Sequence, residues 1–247
     1  MSKAIQIEGV CKTFGSGRKV SPVLSDLTLD VDQGEVFGFI GPNGAGKSTT
    51  IKLLLHFLRP DRGILRVMGR MVGNEEFRNQ LGYLPESPCF YDHLTASETM
   101  GFAGRLSGIS GAKLSESIPV LLKQVDLADG ANKSVGTYSK GMKQRLGLAV
   151  ALVHDPDIFI LDEPMSGLDP IGRHLVKNVI DQLRTQGKTV FFSSHILGDV
   201  DDLCDRIGIL HRGHLLYQGS VHEFRRSGRL EESFIKLIEE WDSASAG

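Results

Sequence analysis

Apolar and polar residues alternate over Ile5-Gln6-Ile7-Glu8-Gly9-Val10 and again from Val23 to Val31. A period of two is the signature of half-buried strands. Phe14 follows the first run, just before a turn over Gly15-Ser16-Gly17-Arg18-Lys19, and Asp32-Gln33-Gly34-Glu35 is turn chemistry ahead of a third strand, Val36 to Ile40. An apolar-periodic segment beginning near Lys47 predicts a helix, which Arg59-Pro60-Asp61-Arg62-Gly63 closes. Ile64 to Met68 and Leu81-Gly82-Tyr83-Leu84 then read as strands, the latter ended by Pro85.

From about Ser87 to Val153 the pattern changes. Strand-like runs disappear and helical spacing takes over, for example Ser117 to Leu127 and Leu146 to Val153. At Ile158-Phe159-Ile160-Leu161 a continuous apolar run predicts a strand covered on both faces. A helix over Pro170 to Arg184, a strand over Thr189 to Phe192 and a helix over Ile196 to Leu203 follow. Ile207 to Leu210 and His214 to Tyr217 flank Arg212-Gly213 as a hairpin. Strand–helix alternation predicts a mostly parallel sheet in an α/β core, with the helical stretch inserted into it. The expected division is a core of residues 1–86 and 154–228, a helical subdomain of 87–153, and a C-terminal helix and tail over 229–247. In that last segment Leu230, Phe234, Leu237, Ile238 and Trp241 fall at helical spacing. Such a stripe fits a helix docked on its own domain or a subunit interface. Ser243 to Gly247 reads as a frayed end.

Composition narrows the class. The 247 residues are enough for a full core, and 28 basic against 30 acidic residues give no electrostatic case for nucleic-acid binding. Cys11, Cys89 and Cys204 are scattered and odd in number, as expected of idle thiols in a reducing compartment. The N-terminus lacks a signal-peptide core, and no apolar run approaches the ~18–20 residues that cross a bilayer. A soluble chain is expected.

The chemistry concentrates at Gly41-Pro42-Asn43-Gly44-Ala45-Gly46-Lys47-Ser48-Thr49, between a strand and a helix. Gly, four residues, Gly-Lys-Ser is the spacing of a phosphate-binding P-loop. Its glycines let backbone N–H groups converge on one anion, and the helix start adds its dipole. Lys47 can reach terminal phosphates and the Ser48 hydroxyl can ligate Mg²⁺. Asp162 and Glu163 follow the buried-type strand, where one carboxylate can face metal and the other can polarise a water. Taken alone, the pair before Pro164 is also what an exposed acidic turn looks like.

Further along, Tyr138-Ser139-Lys140-Gly141-Met142-Lys143-Gln144-Arg145 resembles the signature motif of ABC-type ATPases. It stands about twenty residues ahead of Asp162-Glu163, as in that family. Ser166-Gly167-Leu168-Asp169 is similar to the D-loop, His195 to the switch histidine, Phe14 to the aromatic that stacks on adenine, and Glu86 falls at the Q-loop position. The resemblance covers about Ile5 to Phe224 and implies the ABC-ATPase version of the P-loop NTPase fold, an α/β core with an antiparallel β edge and an inserted α-helical subdomain. It implies ATP with Mg²⁺ held by Ser48, Asp162 and Glu86, catalysis by Glu163, His195 and Lys47, and a dimer in which Ser139 and Gly141 meet the partner's nucleotide. Asp169 would couple the two sites. Two departures, Tyr-Ser-Lys-Gly-Met for the signature and Glu86 for glutamine, look similar to ABC-2 type exporter ATPases. These work with a separate membrane permease, contacted here near residues 86–94, at the cytoplasmic face of a membrane. A soluble ABC ATPase, such as an iron–sulfur assembly factor, is the alternative.

Overall fold

The computed structural model of the chain describes residues 2–15, 20–73, 75–225 and 228–245. Most of the turn expected over Gly15 to Lys19 lies outside them. The chain divides into two compact units, residues 1–77 with 191–247, and residues 78–190.

In the first unit, β1 (Lys3–Phe14) and β2 (Ser21–Asp32) form the long antiparallel pair that their alternation predicts, Ile5 opposite Val31 and Ile7 opposite Leu29. With β4 (Arg62–Val67) and β5 (Arg70–Met71) they make a four-stranded antiparallel sheet in the order β2-β1-β4-β5. A second set of strands contains β3 (Val36–Ile40), β9 (Arg206–His211), β10 (His214–Ser220) and the later part of β8 (Thr189–Ser194), in the order β10-β9-β3-β8. β3 and β9 are parallel, and β9 and β10 form the expected hairpin. Every residue of β3 is buried, and Phe191 stacks on Phe37 at 5.8 Å and tilts against Phe39 at 5.3 Å. These apolar faces hold the strands that lead into α1 (Lys47–Leu54) and α6 (Leu197–Leu203). The short α7 (Val221–Arg225) and the C-terminal α8 (Leu230–Ser245) complete the unit.

The stripe at the C-terminus faces inward. Leu230 is buried, while Phe234, Leu237, Ile238 and Trp241 are half-buried, and α8 packs on α6 and α7. The stripe therefore serves the chain's own fold. The helix runs through Ser245, so the frayed end expected from Ser243 is helical for its first three residues; the Ser243 hydroxyl donates to Glu239 O and Ser245 ends α8.

In the second unit, β6 (Leu81–Leu84) runs parallel to β7 (Ile158–Asp162), and β7 is buried throughout, as its unbroken apolar run requires. Between Pro85 and Asp157 there is no strand, only the isolated bridge of Thr95 with Ser134. Helices α2 (Ala96–Leu106), α3 (Gly111–Gln124) and α4 (Lys140–Leu152) fill this stretch, and α5 (Pro170–Thr185) follows β7. Each of the four begins at a polar cap. Thr95 and Glu98 form a capping box, and Ser110, Ser139 and Asp169 accept from the first turns of α3, α4 and α5. α3 begins six residues before the helical pattern expected from Ser117 and ends at Gln124 rather than Leu127. Gly111 and Ser115 are weak helix formers and hid its first turns, but the Ser110 cap starts it there. Among the described residues no helix is long and apolar enough to cross a membrane.

Candidate functional site

The expected site residues divide between the two units. Phe14, the stretch from Gly41 to Thr49, and His195 belong to the first. Glu86, Ser139, Gly141, Asp162, Glu163 and Asp169 belong to the second.

The phosphate loop leaves β3 at Gly41. A side chain there would place its Cβ 2.1 Å from Leu210 O, so only glycine fits. Gly46 has φ 113° and sits against Leu24 and Val23 O, which also excludes a side chain. Gly46 is the N-cap of α1 and supplies no side-chain acceptor, so no cap competes for the first N–H groups of the helix. This is the arrangement that receives an anion. Lys47 is buried, and its Nζ donates to Gly41 O at 2.6 Å and Pro42 O at 3.3 Å, folding the ammonium back over the loop. Ser48 and Thr49 follow in the first turn, with Thr50 Oγ1 bonded to Gly46 O. Phe14 ends β1 with 41% of its surface exposed and the Lys12 ammonium over its ring, 5.6 Å from the centre. His195 is exposed directly after β8, the neighbour of β3 in the sheet.

In the second unit β7 delivers two buried carboxylates. Asp162 is 6% exposed and Glu163 is 9% exposed. The acidic pair is thus not the exposed turn that its sequence alone also allowed. Glu163 has φ 48°, a left-handed conformation that costs a non-glycine residue about 1–3 kcal/mol. The surroundings hold it there. Gln144, 1% exposed on α4, donates to Pro164 O at 3.2 Å and to Glu163 O at 3.5 Å, and Ser166 N donates to Glu163 O at 3.0 Å. Burial, with the negative field of Asp162, pushes the Tyr83 hydroxyl up to about 12, so it stays a neutral donor at ordinary pH.

Ser139 caps α4, its Oγ accepting from Met142 N at 3.2 Å. Ser139, Gly141, Gly167 and Asp169 line one shallow pocket. A side chain on Gly141 would meet nothing nearer than Leu168 at 3.5 Å, an ordinary contact. Asp169 has a local task as well, since its Oδ1 accepts from Gly172 N at 2.7 Å as the cap of α5. Glu86 is exposed beyond β6.

Gln144 is the residue to which sequence reasoning gave no role. The available signal was a polar side chain on a helix that is otherwise apolar on that face. The supports of the phosphate loop at Leu210 and Gly213 were equally silent, because they are backbone contacts.

The family model for ABC transporters matches residues 24–166, more than half of the chain. The chain belongs to the ABC transporter ATP-binding family. This family member is 48% identical over 229 residues to an uncharacterized ABC transporter ATP-binding protein of Synechocystis, covering 92% of this chain and 64% of that protein. The chain thus spans less than two thirds of that relative's length. It is 40% identical over 225 residues to the Nod factor export ATP-binding protein I of a Rhizobium species, covering 90% of this chain and 73% of that protein. The solved structure of an ATP-binding subunit of an ABC transporter superposes with a TM-score of 0.86 at 33% identity, covering 95% of this chain and 99% of that one.

Proposed function

We propose that this ABC transporter ATP-binding chain hydrolyses ATP with Mg²⁺ as one half of a two-site dimer and drives a separate membrane permease. The observation that carries the proposal is Glu163, a buried carboxylate held at φ 48° by Gln144 at the end of β7. A strained, buried acid with its backbone pinned is the disposition of a general base. The donor set fits the cofactors: uncapped N–H groups at α1 and the Lys47 ammonium suit phosphate oxygens, and the Ser48 hydroxyl and Asp162 carboxylate are hard oxygens suited to Mg²⁺. Bound Mg²⁺ would draw charge from the phosphates.

The chain's own residues then have separate tasks. Gly41 to Thr49 wrap the phosphates, and Lys47 exchanges its carbonyl partners for phosphate oxygens. Glu163 takes a proton from the water that attacks the γ-phosphorus as the bond to the β-phosphate oxygen breaks. His195 orients that water and hydrogen-bonds the γ-phosphate, and Phe14 stacks on adenine. Ser139 and Gly141 meet the nucleotide held by the second protomer, and Asp169 couples the two sites. Glu86 would offer the metal a further hard oxygen.

Residues 87–153 act as a helical subdomain between the core segments 1–86 and 154–228, with 229–247 as an appended helix and tail. The permease docks near residues 86–94, where Tyr91 is 63% exposed and packs edge-on against Phe102 at 6.3 Å. This would hold the chain at the cytoplasmic face of the membrane. Likeness to a Nod factor export protein favours an exporter over an iron–sulfur assembly factor. Nucleic acid is no partner.

Replacing Glu163 by Gln tests the proposal. It keeps shape and hydrogen bonding but removes the base, so ATP turnover should fall by roughly 10²–10⁴-fold while ATP binding survives. Near-normal turnover of Glu163→Gln would sink the assignment.

A further inference from the structure

The end of α8 reaches the phosphate loop through a single turn. His211 closes β9 with 7% of its surface exposed, and its Nε2 lies 2.9 Å from Asp242 Oδ1. A carboxylate only accepts, so Nε2 carries the proton of that bond. The Arg212 guanidinium lies 3.2 Å from the same oxygen. Trp241, one residue earlier on α8, meets the His211 ring edge-on at 5.1 Å and the Arg212 guanidinium at 5.9 Å. Two adjacent helix residues therefore grip two adjacent turn residues.

That turn is strained and does not stand alone. Arg212 has φ 44° and Gly213 has φ 82°, the paired positive values of a tight hairpin turn that favours glycine or asparagine over arginine. Gly213 N donates to Ala45 O at 2.9 Å, inside the phosphate loop, and Gly213 O accepts from Ser25 N at 3.0 Å. Leu210, just before the turn, sets its carbonyl where a Gly41 side chain would stand and a methyl against Gly46. The hairpin thus touches the loop at Gly41, Ala45 and Gly46, and α8 grips the strained end of the hairpin at His211 and Arg212.

We propose that Trp241 and Asp242 are positioning residues for the phosphate loop, acting through the His211–Gly213 turn. The consequence for ATP rests on the function proposed above; the mechanical coupling does not. Loosening the clamp lets the turn relax its positive φ values and withdraws the Gly213 N–H from Ala45 O. The loop N–H groups then lose their fixed convergence on one anion, and affinity falls while the chemistry at Glu163 is untouched.

The test uses the full chain carrying Asp242→Ala, with Asp242→Glu as the conservative control. Amide hydrogen exchange is read without nucleotide over residues 41–47 and 210–214, and over β7 for reference. Exchange in both first segments should rise by about tenfold with β7 unchanged, and Asp242→Glu should restore most of the protection. Mg·ATP Kd and KM should rise by roughly threefold to tenfold in Asp242→Ala with kcat within about twofold of the wild type. A helix that only adds stability would lower the melting temperature without moving exchange at 41–47 or KM. Unchanged exchange at 41–47 overturns the coupling, whatever the nucleotide data. If exchange rises but the wild type binds no Mg·ATP, the coupling stands and the ATP reading fails. Should Asp242→Ala not fold, Trp241→Phe, which keeps an aromatic ring but shortens its reach to His211 and Arg212, is read by the same criteria.

Discussion

The phosphate loop and the signature segment both place glycine beside a helix start, for different physical reasons. Gly41 and Gly46 are enforced from inside: Leu210 O, Val23 O and Leu24 occupy the space a side chain would need. Gly141 is not. It is the second residue of α4, and its own chain leaves ordinary contact room for a methyl group. Glycine in the middle of a helix costs roughly 0.5–1 kcal/mol relative to alanine, and the room around Gly141 does not require it. A glycine that internal packing requires reports on the fold. One that packing does not require points to something arriving from outside, which is how the proposed dimer would use it.

Breaking the internal requirement should have the largest effect. Gly41→Ala forces Cβ against a backbone carbonyl, and overpacking of this kind costs about 1–3 kcal/mol or more. The melting temperature should drop by several degrees and Mg·ATP binding should disappear with it, as calorimetry would show. Gly141→Ala separates the two cases most cleanly. Its melting temperature should stay level or rise, whereas ATP turnover should fall by about tenfold or more, the equivalent of roughly 1.4 kcal/mol. A parallel loss of stability and turnover would return Gly141 to the same class as Gly41. Asp169→Ala should have the smallest effect on turnover and should cost the fold about 1 kcal/mol for a lost N-cap, read from denaturant unfolding. If turnover falls no further than that change explains, Asp169 is a cap and nothing else.

The strands and the chemistry were legible in the sequence to different depths. β3 and β7 announce themselves as unbroken apolar runs, and β1 and β2 by alternation, because burial on one or two faces writes itself into the residue order. The hairpin of β9 and β10 was marked by Arg212-Gly213. β5, α7 and the 3₁₀ helix Glu75–Gln80 are too short to carry a period. α4 begins at Lys140, ahead of the pattern read from Leu146, because its first turn is polar and its start is set by the Ser139 cap. At the site, fixed spacing marked Gly41 to Thr49, Asp162-Glu163 and Tyr138 to Arg145 as the candidates. The left-handed Glu163 and its tether to Gln144 were not, since they depend on contacts between residues nineteen and twenty positions apart. Nor was the grip of Trp241 and Asp242 on the turn, which joins positions thirty-one apart.

The central claim is that each ATP is served by the phosphate loop of one protomer and the signature of the other. Mixing Lys47→Ala with Ser139→Arg tests it most directly. Each variant alone should be inactive, the first for want of the phosphate-binding ammonium and the second because a bulky cation fills the signature pocket. In the mixed dimer one site unites an intact phosphate loop with an intact signature, so ATP turnover should return to a fraction of the wild-type rate. A mixture that forms heterodimers yet stays as inactive as its parents would contradict the account.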